Sequence, residues 1–161
     1  MRHAKAEDKS ATGMDFDRTL TEKGISNAEK MGKRLAQREV LPNLIITSPA
    51  RRALQTAQII GKIIKYSGKI IQNETIYNST VPALIDIIRN TGEGIQSLML
   101  VGHNPSLTDL VNYFCPSASD SHRIKNLPKA GIAGIEISED GWKNIMHRCG
   151  QLLFFDYPKK K

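Results

Sequence analysis

The sequence predicts an α/β fold: a three-layer αβα sandwich with a mostly parallel central sheet and an antiparallel edge at its C-terminal end. Three observations carry this. Short continuous apolar runs, Leu44–Thr47 and Ser97–Val101, alternate with segments of helical periodicity. Those runs lack polar alternation, as strands covered on both faces do. Near the C-terminus, Gly134–Ser138, a turn at Glu139-Asp140-Gly141 and Gln151–Phe155 read as a closing hairpin.

The elements follow in order. Thr21 is placed to cap a helix reaching about Arg38, with Ile25, Ala28, Met31 and Leu35 on one face. After the strand Leu44–Thr47, Ser48 reads as the N-cap of a second helix, with Pro49 at its first position, where a missing N–H costs nothing. Leu54, Ala57, Ile60 and Ile64 mark its inner face, and Gly68 its stop. Lys69–Ile71 reads as a short strand, and Thr80–Arg89 as a helix with Leu84, Ile87 and Ile88 inward. The strand Ser97–Val101 leads into a helix from Pro105 to Phe114. Arg2-His3 sits where a first strand should just have ended, yet only Met1 precedes it, whereas a strand usually takes about 5–6 residues. The expectation is a first strand cut short before Arg2.

The 161 residues suit one domain spanning 1–161, with a basic tail at Lys159-Lys160-Lys161. No apolar run approaches the roughly 20 residues that cross a bilayer. Met1–Lys5 lacks the apolar core of a secretory signal, so the expectation is a cytoplasmic protein with no membrane partner. Cys115 and Cys149 do not make a disulfide framework, which agrees with a reducing compartment. The formal net charge of +7 favours anionic partners. The basic residues are not interleaved with aromatics and form no nucleic-acid module, so no nucleic-acid partner is expected, and the charge is compatible with a phosphate-bearing substrate and no more.

Three segments fall where ligands bind in open α/β sheets, outside the carboxyl ends of strands. They are Arg2-His3, Arg52 in the turn after Ser48-Pro49, and Gly102-His103-Asn104-Pro105 after Val101. Two of them lead into helix N-termini, whose free N–H groups and dipole favour anions. Arginine's fork suits phosphate oxygens. Each residue alone is weak evidence, a lone histidine being more often structural or solvated than catalytic; their joint placement on strand ends points to an anion-seeking pocket.

These segments resemble motifs of the histidine phosphatase superfamily. Arg2-His3-Ala4-Lys5 is similar to its Arg-His signature, with Ala4 in place of the family's Gly. Asp15–Gly24 resembles the segment that follows in SixA-like members. Ser48–Ala57 resembles the second-arginine motif, with the arginine directly before Ala, which selects Arg52 over Arg51. Val101–Pro105 resembles the second-histidine motif, and the similarity runs in order from Met1 to Phe155.

The resemblance implies a phosphoglycerate-mutase-like fold and a cofactor-free, metal-free phosphatase. It implies that His3 attacks phosphorus and becomes a phosphohistidine, while Arg2, Arg52 and His103 hold the phosphoryl oxygens. Asn73–Tyr77 is similar to the stretch carrying the acid glutamate in the mutase branch, which makes Glu74 a candidate general acid. Arg18 and Lys5 are candidates for holding substrate; His122 and His147 match no motif and read as structural. The substrate implied is protein phosphohistidine, in cytoplasmic signal transduction, with a small phosphate compound as the alternative. A catalytically silent phosphate-binding module is a further alternative. A zinc hydrolase using His3, His103 and Glu74 is disfavoured, because the spacing matches no local zinc pattern and Arg2 and Arg52 would repel a cation.

Overall fold

The computed structural model describes residues 1–116 and 123–159; His122, Lys160 and Lys161 lie outside them. Strands β1 (Leu44–Thr47), β2 (Ile70–Gln72) and β3 (Leu98–Val101) form a parallel sheet in the order β2-β1-β3. Ile45 pairs with Ile70 on one side and with Met99 on the other. Side chains alternate across a strand, so each run feeds two cores. Ile45, Met99 and Val101 pack with Met31, Leu35, Ala57 and Ile60 of helices α1 (Glu22–Gln37) and α2 (Arg51–Ile63). Ile46 and Leu100 pack with Leu84, Ile88, Leu107 and Leu110 of helices α3 (Val81–Arg89) and α4 (Ser106–Phe114). The three layers predicted from the apolar runs are these two helix pairs and the sheet between them. Strands β4 (Ile132–Ile137) and β5 (Gly150–Asp156) pair antiparallel as expected, with a register shift between Gly134 and Ile135, but as a separate two-stranded sheet rather than as an edge of the central one.

The chain start joins the two sheets. Arg2 makes a parallel bridge with Gly102, through His3 N to Gly102 O (3.0 Å) and Gly102 N to Met1 O (3.1 Å). On its other side, Arg2 N donates to Gly131 O (2.9 Å) and Ala130 N to His3 O (3.0 Å). Residues 1–3 thus lie against the carboxyl end of β3. The remaining length of β3 faces β4 across a groove of about 930 Å³ lined by Leu98, Met99, Leu100, Ile132, Ile135 and Trp142.

Several local expectations change. Thr21 caps α1 as expected, accepting from Gly24 N (2.9 Å). Ile25, however, is 39% exposed, and Gly24 turns inward instead. A Cβ at Gly24 would collide with the Lys5 carbonyl oxygen, so glycine lets α1 seat on the segment after His3. Helix α2 starts at Arg51 with Ala50 as its flanking residue and no side-chain cap. Its inner face is Arg52, Ala53, Thr56, Ala57, Ile60 and Gly61, with Leu54 half-buried. It ends at Ile63, short of the stop read at Gly68, and Lys65 just beyond it takes the left-handed conformation (φ 58°). In α3, Ile85 rather than Ile87 joins Leu84 and Ile88 inside.

Candidate active site

The strand ends converge as the topology requires. Ser48 N donates to Val101 O (2.9 Å) and Asn73 N to Thr47 O (2.9 Å), while Arg2 sits opposite Gly102. The segments after the chain start, β1, β2 and β3 therefore leave one edge of the sheet together.

His3 is 7% exposed and its ring is oriented by its own neighbour: Nδ1 lies 2.7 Å from the Ala4 carbonyl oxygen. A carbonyl only accepts, so Nδ1 carries the proton and Nε2 keeps its lone pair. The Ala4 peptide is itself fixed, because Ala4 N donates to Thr56 Oγ1 (3.0 Å), which donates to Arg52 O (2.7 Å). The orientation of the histidine and the helix that bears Arg52 are thereby linked. Burial, opposed by the Ala4 bond and reinforced by His103, Arg52 and Arg2, pushes the His3 imidazole down to about 3. It is neutral throughout the physiological range.

The His103 ring centroid lies 5.1 Å from that of His3. Its Nε2 is 2.8 Å from Ser48 Oγ, and Ser48 Oγ also accepts from Ala50 N (3.2 Å). This explains why Ser48 does not cap α2 from the usual position: its hydroxyl is committed to a ring brought in from β3. Burial first, then Arg52, lowers His103 to about 4.

Arg52, in the first turn of α2, is 5% exposed. It donates Nη1 to Asp15 O (2.8 Å) and Nη2 to Asp15 Oδ2 (2.9 Å). Arg2 donates Nη1 to Leu127 O (2.9 Å). Among the described residues, the Nε atoms of both arginines are buried without a partner. An unsatisfied buried donor costs about 1–3 kcal/mol, a cost that an incoming anion offsets.

Of the other candidates, Arg18 reaches the site through Asp15, donating Nε to its Oδ1 (2.9 Å), and it also binds Glu7 O (2.9 Å). The Lys5 side chain is exposed, and among the described residues it makes no hydrogen bond or ion pair; its carbonyl receives Thr21 N (3.0 Å). Glu74 is exposed at the start of a short 3₁₀ turn (Glu74–Ile76), and its carboxylate has no such contact among the described residues. The side chain from this stretch that enters the network is Tyr77. Its hydroxyl donates to Asp15 Oδ2 (2.7 Å), and its ring stands edge-on to His103 (5.6 Å) and Phe16 (5.3 Å). Asp15 is held down to about 2 by the Tyr77 hydroxyl, with Arg52 and Arg18 adding to the effect. His147 packs on Tyr113 (5.1 Å). Among the described residues, no three His, Cys, Asp or Glu side chains are disposed around a metal position.

Sequence reasoning did not single out Asp15 and Tyr77, and assigned Ser48 only a capping role. Asp15 and Tyr77 both lie inside segments matched to family motifs, so the signal was positional; nothing in residue type or periodicity marked them.

A neutral imidazole with a free lone pair, a second imidazole and two arginines with uncommitted donors, at the strand ends of an αβα fold, are the equipment of a phosphoryl-handling enzyme. The chain belongs to the histidine phosphatase superfamily. Residues 1–76 match the model of that superfamily's branch 1. An uncharacterized protein of Picosynechococcus is 32% identical over 160 residues, covering 98% of this chain and 94% of that protein. An uncharacterized Mycobacterium tuberculosis protein is 27% identical over 164 residues, covering 99% and 100%. The structure is similar to that of an Agrobacterium tumefaciens protein assigned as phosphohistidine phosphatase SixA, with TM-score 0.81 and 28% identity over 98% of this chain and 95% of that one. The fold also matches the protein histidine phosphatase SixA complexed with tungstate, with TM-score 0.81, 21% identity and coverage of 98% and 94%. The protein is thus a phosphatase of this superfamily, structurally close to the SixA phosphohistidine phosphatases.

Proposed function

We propose that the protein removes phosphoryl groups from phosphohistidine on a partner protein, through a covalent phosphohistidine on His3. The observation that carries this reading is the His3 Nδ1–Ala4 carbonyl contact (2.7 Å), which leaves Nε2 as an unprotonated nucleophile. Nε2 attacks phosphorus, the substrate imidazole leaves, and water then attacks the His3 phosphoramidate to release inorganic phosphate. Arg2, Arg52 and His103 bind the phosphoryl oxygens and stabilise the charge of the transition state. Arg18 and Lys5 are the candidates for adding positive charge that holds substrate. An imidazole leaves more readily than an alkoxide, so demand on a general acid is small; Glu74 is the candidate for that role with phosphate esters. No helix among the described residues is long and apolar enough to cross a membrane. The reading places the protein in cytoplasmic signal transduction.

Support for a protein substrate comes from the similar structure named as a phosphohistidine phosphatase. The test uses a labelled phosphoryl donor such as phosphoramidate. The wild type is expected to take acid-labile label on His3, and His3→Ala none. Absence of label in the wild type overturns the covalent route and favours a silent phosphate-binding module. Faster turnover of sugar phosphates than of a phosphohistidine-bearing domain overturns the substrate.

A further inference from the structure

Building on the phosphoryl-transfer reading, the arginines raise a question of how each is held. Arg2 is anchored by a terminal nitrogen on the Leu127 carbonyl (2.9 Å). Arg52 is anchored by both terminal nitrogens on a single residue, through the Asp15 carbonyl (2.8 Å) and carboxylate (2.9 Å). In both cases the terminal end is engaged and, among the described residues, Nε is left buried and unpartnered. The Asp15 carboxylate is also the meeting point of Arg18 (2.8 Å) and the Tyr77 hydroxyl (2.7 Å), and Tyr77 stands edge-on to His103. Asp15 sits on a short 3₁₀ turn (Asp15–Asp17) with its side chain 52% exposed, whereas the Arg52 side chain is 6% exposed. An exposed carboxylate paired with a buried guanidinium is an orienting contact whose geometry matters more than its energy.

We propose that Asp15 is a positioning residue for phosphoryl binding: it fixes the terminal nitrogens of Arg52 so that the Nε side is left for a phosphoryl oxygen, and through Tyr77 it ties the same turn to the His103 ring. Arg2 shows the same division of labour with a backbone carbonyl as anchor, which is why its anchor needs no acidic residue. The opposite assignment makes Asp15 a competing anion that substrate must displace. The two assignments predict opposite signs when the carboxylate is removed.

The test titrates inorganic phosphate into the wild type, Asp15→Asn and Asp15→Ala, with the His3 and His103 ring resonances followed by NMR. Charged–neutral hydrogen bonds set the scale, so phosphate should bind Asp15→Ala at least about tenfold more weakly than wild type, with Asp15→Asn in between. Equal or tighter binding by either variant overturns the proposal, and tighter binding makes Asp15 a competing anion. His103 separates positioning from mere packing. It faces His3, Ser48 and Tyr77, and the charges acting on it are Arg52, Asp15, Arg2 and Arg18, of which Asp15 alone raises its pKa. Loss of the carboxylate in an intact site therefore moves the His103 titration further down. A rise toward the ordinary 6.5 marks a site opened to solvent, and overturns the positioning role. The His3 label reports on the enzyme reading separately. Label in the wild type with unchanged phosphate affinity in the variants overturns Asp15 positioning alone; no label with weakened affinity supports positioning and overturns the covalent route.

Discussion

The burial of two neutral imidazoles makes the protein's acid sensitivity calculable. His3 titrates near 6.5 in an unfolded chain and at about 3 in the fold. Between those values the unfolded state binds more protons, so folding stability falls as pH falls, and the contribution is complete only above about 6.5. Each pH unit in that window is worth about 1.36 kcal/mol, so His3 alone removes about 3 kcal/mol between pH 7 and pH 4.5. His103, at about 4 in the fold, acts in the same direction over a narrower window. The assay is urea unfolding at a series of pH values for the wild type and His3→Gln. The variant should lose about 3 kcal/mol less across that range, whatever its absolute stability at pH 7. In parallel, kcat/KM should show no inflection near pH 6.5 on the acid side, because the free enzyme's nucleophile is already neutral there. Identical pH slopes for the two proteins, together with an acid limb centred near 6.5, would refute the claim that His3 is buried as the neutral base.

Three further outcomes are expected. Arg52→Lys keeps a positive charge but has no Nε donor and cannot make the paired contacts to Asp15, so kcat/KM should fall about 10²–10³-fold; a loss below tenfold would remove Arg52 from the phosphoryl cradle. Gly24→Ala forces a Cβ onto the Lys5 carbonyl oxygen, a backbone atom that cannot rotate away. It should destabilise the fold by about 1–3 kcal/mol in denaturant unfolding, and an unchanged midpoint would contradict the close seating of α1. Glu74→Gln should leave turnover of phosphohistidine within about twofold while slowing alkyl phosphate esters more. Equal slowing of both would show that the glutamate serves every leaving group.

The layered architecture was legible because β1 and β3 are apolar at consecutive positions, and only a strand buried on both faces uses such a run. Thr21 was legible as a cap because capping is local: it accepts from the N–H three residues on. Ser48 has the same residue type in the same kind of place, yet its hydroxyl faces a histidine 55 positions away, and tertiary contact overrides the local rule. Gly24 and Ile25 exchange inside and outside for a similar reason, since the Lys5 backbone decides which of them fits. His3, Arg2, Arg52 and His103 could be gathered from sequence because strand ends in such a sheet share one edge. Asp15 and Tyr77 could not, because their contacts span 37 and 62 positions from an irregular turn that carries no periodicity.

The chain start has a consequence for how activity is lost. His3 receives a hydrogen bond from the loop before β4 and gives one to the loop after β3. The residue assigned to attack phosphorus is thus also a rivet between two separate sheets. Any opening that peels the hairpin from the parallel strands must unfasten that residue first, so hydrogen exchange at the His3 and Ala130 amides and thermal inactivation should share one free-energy scale.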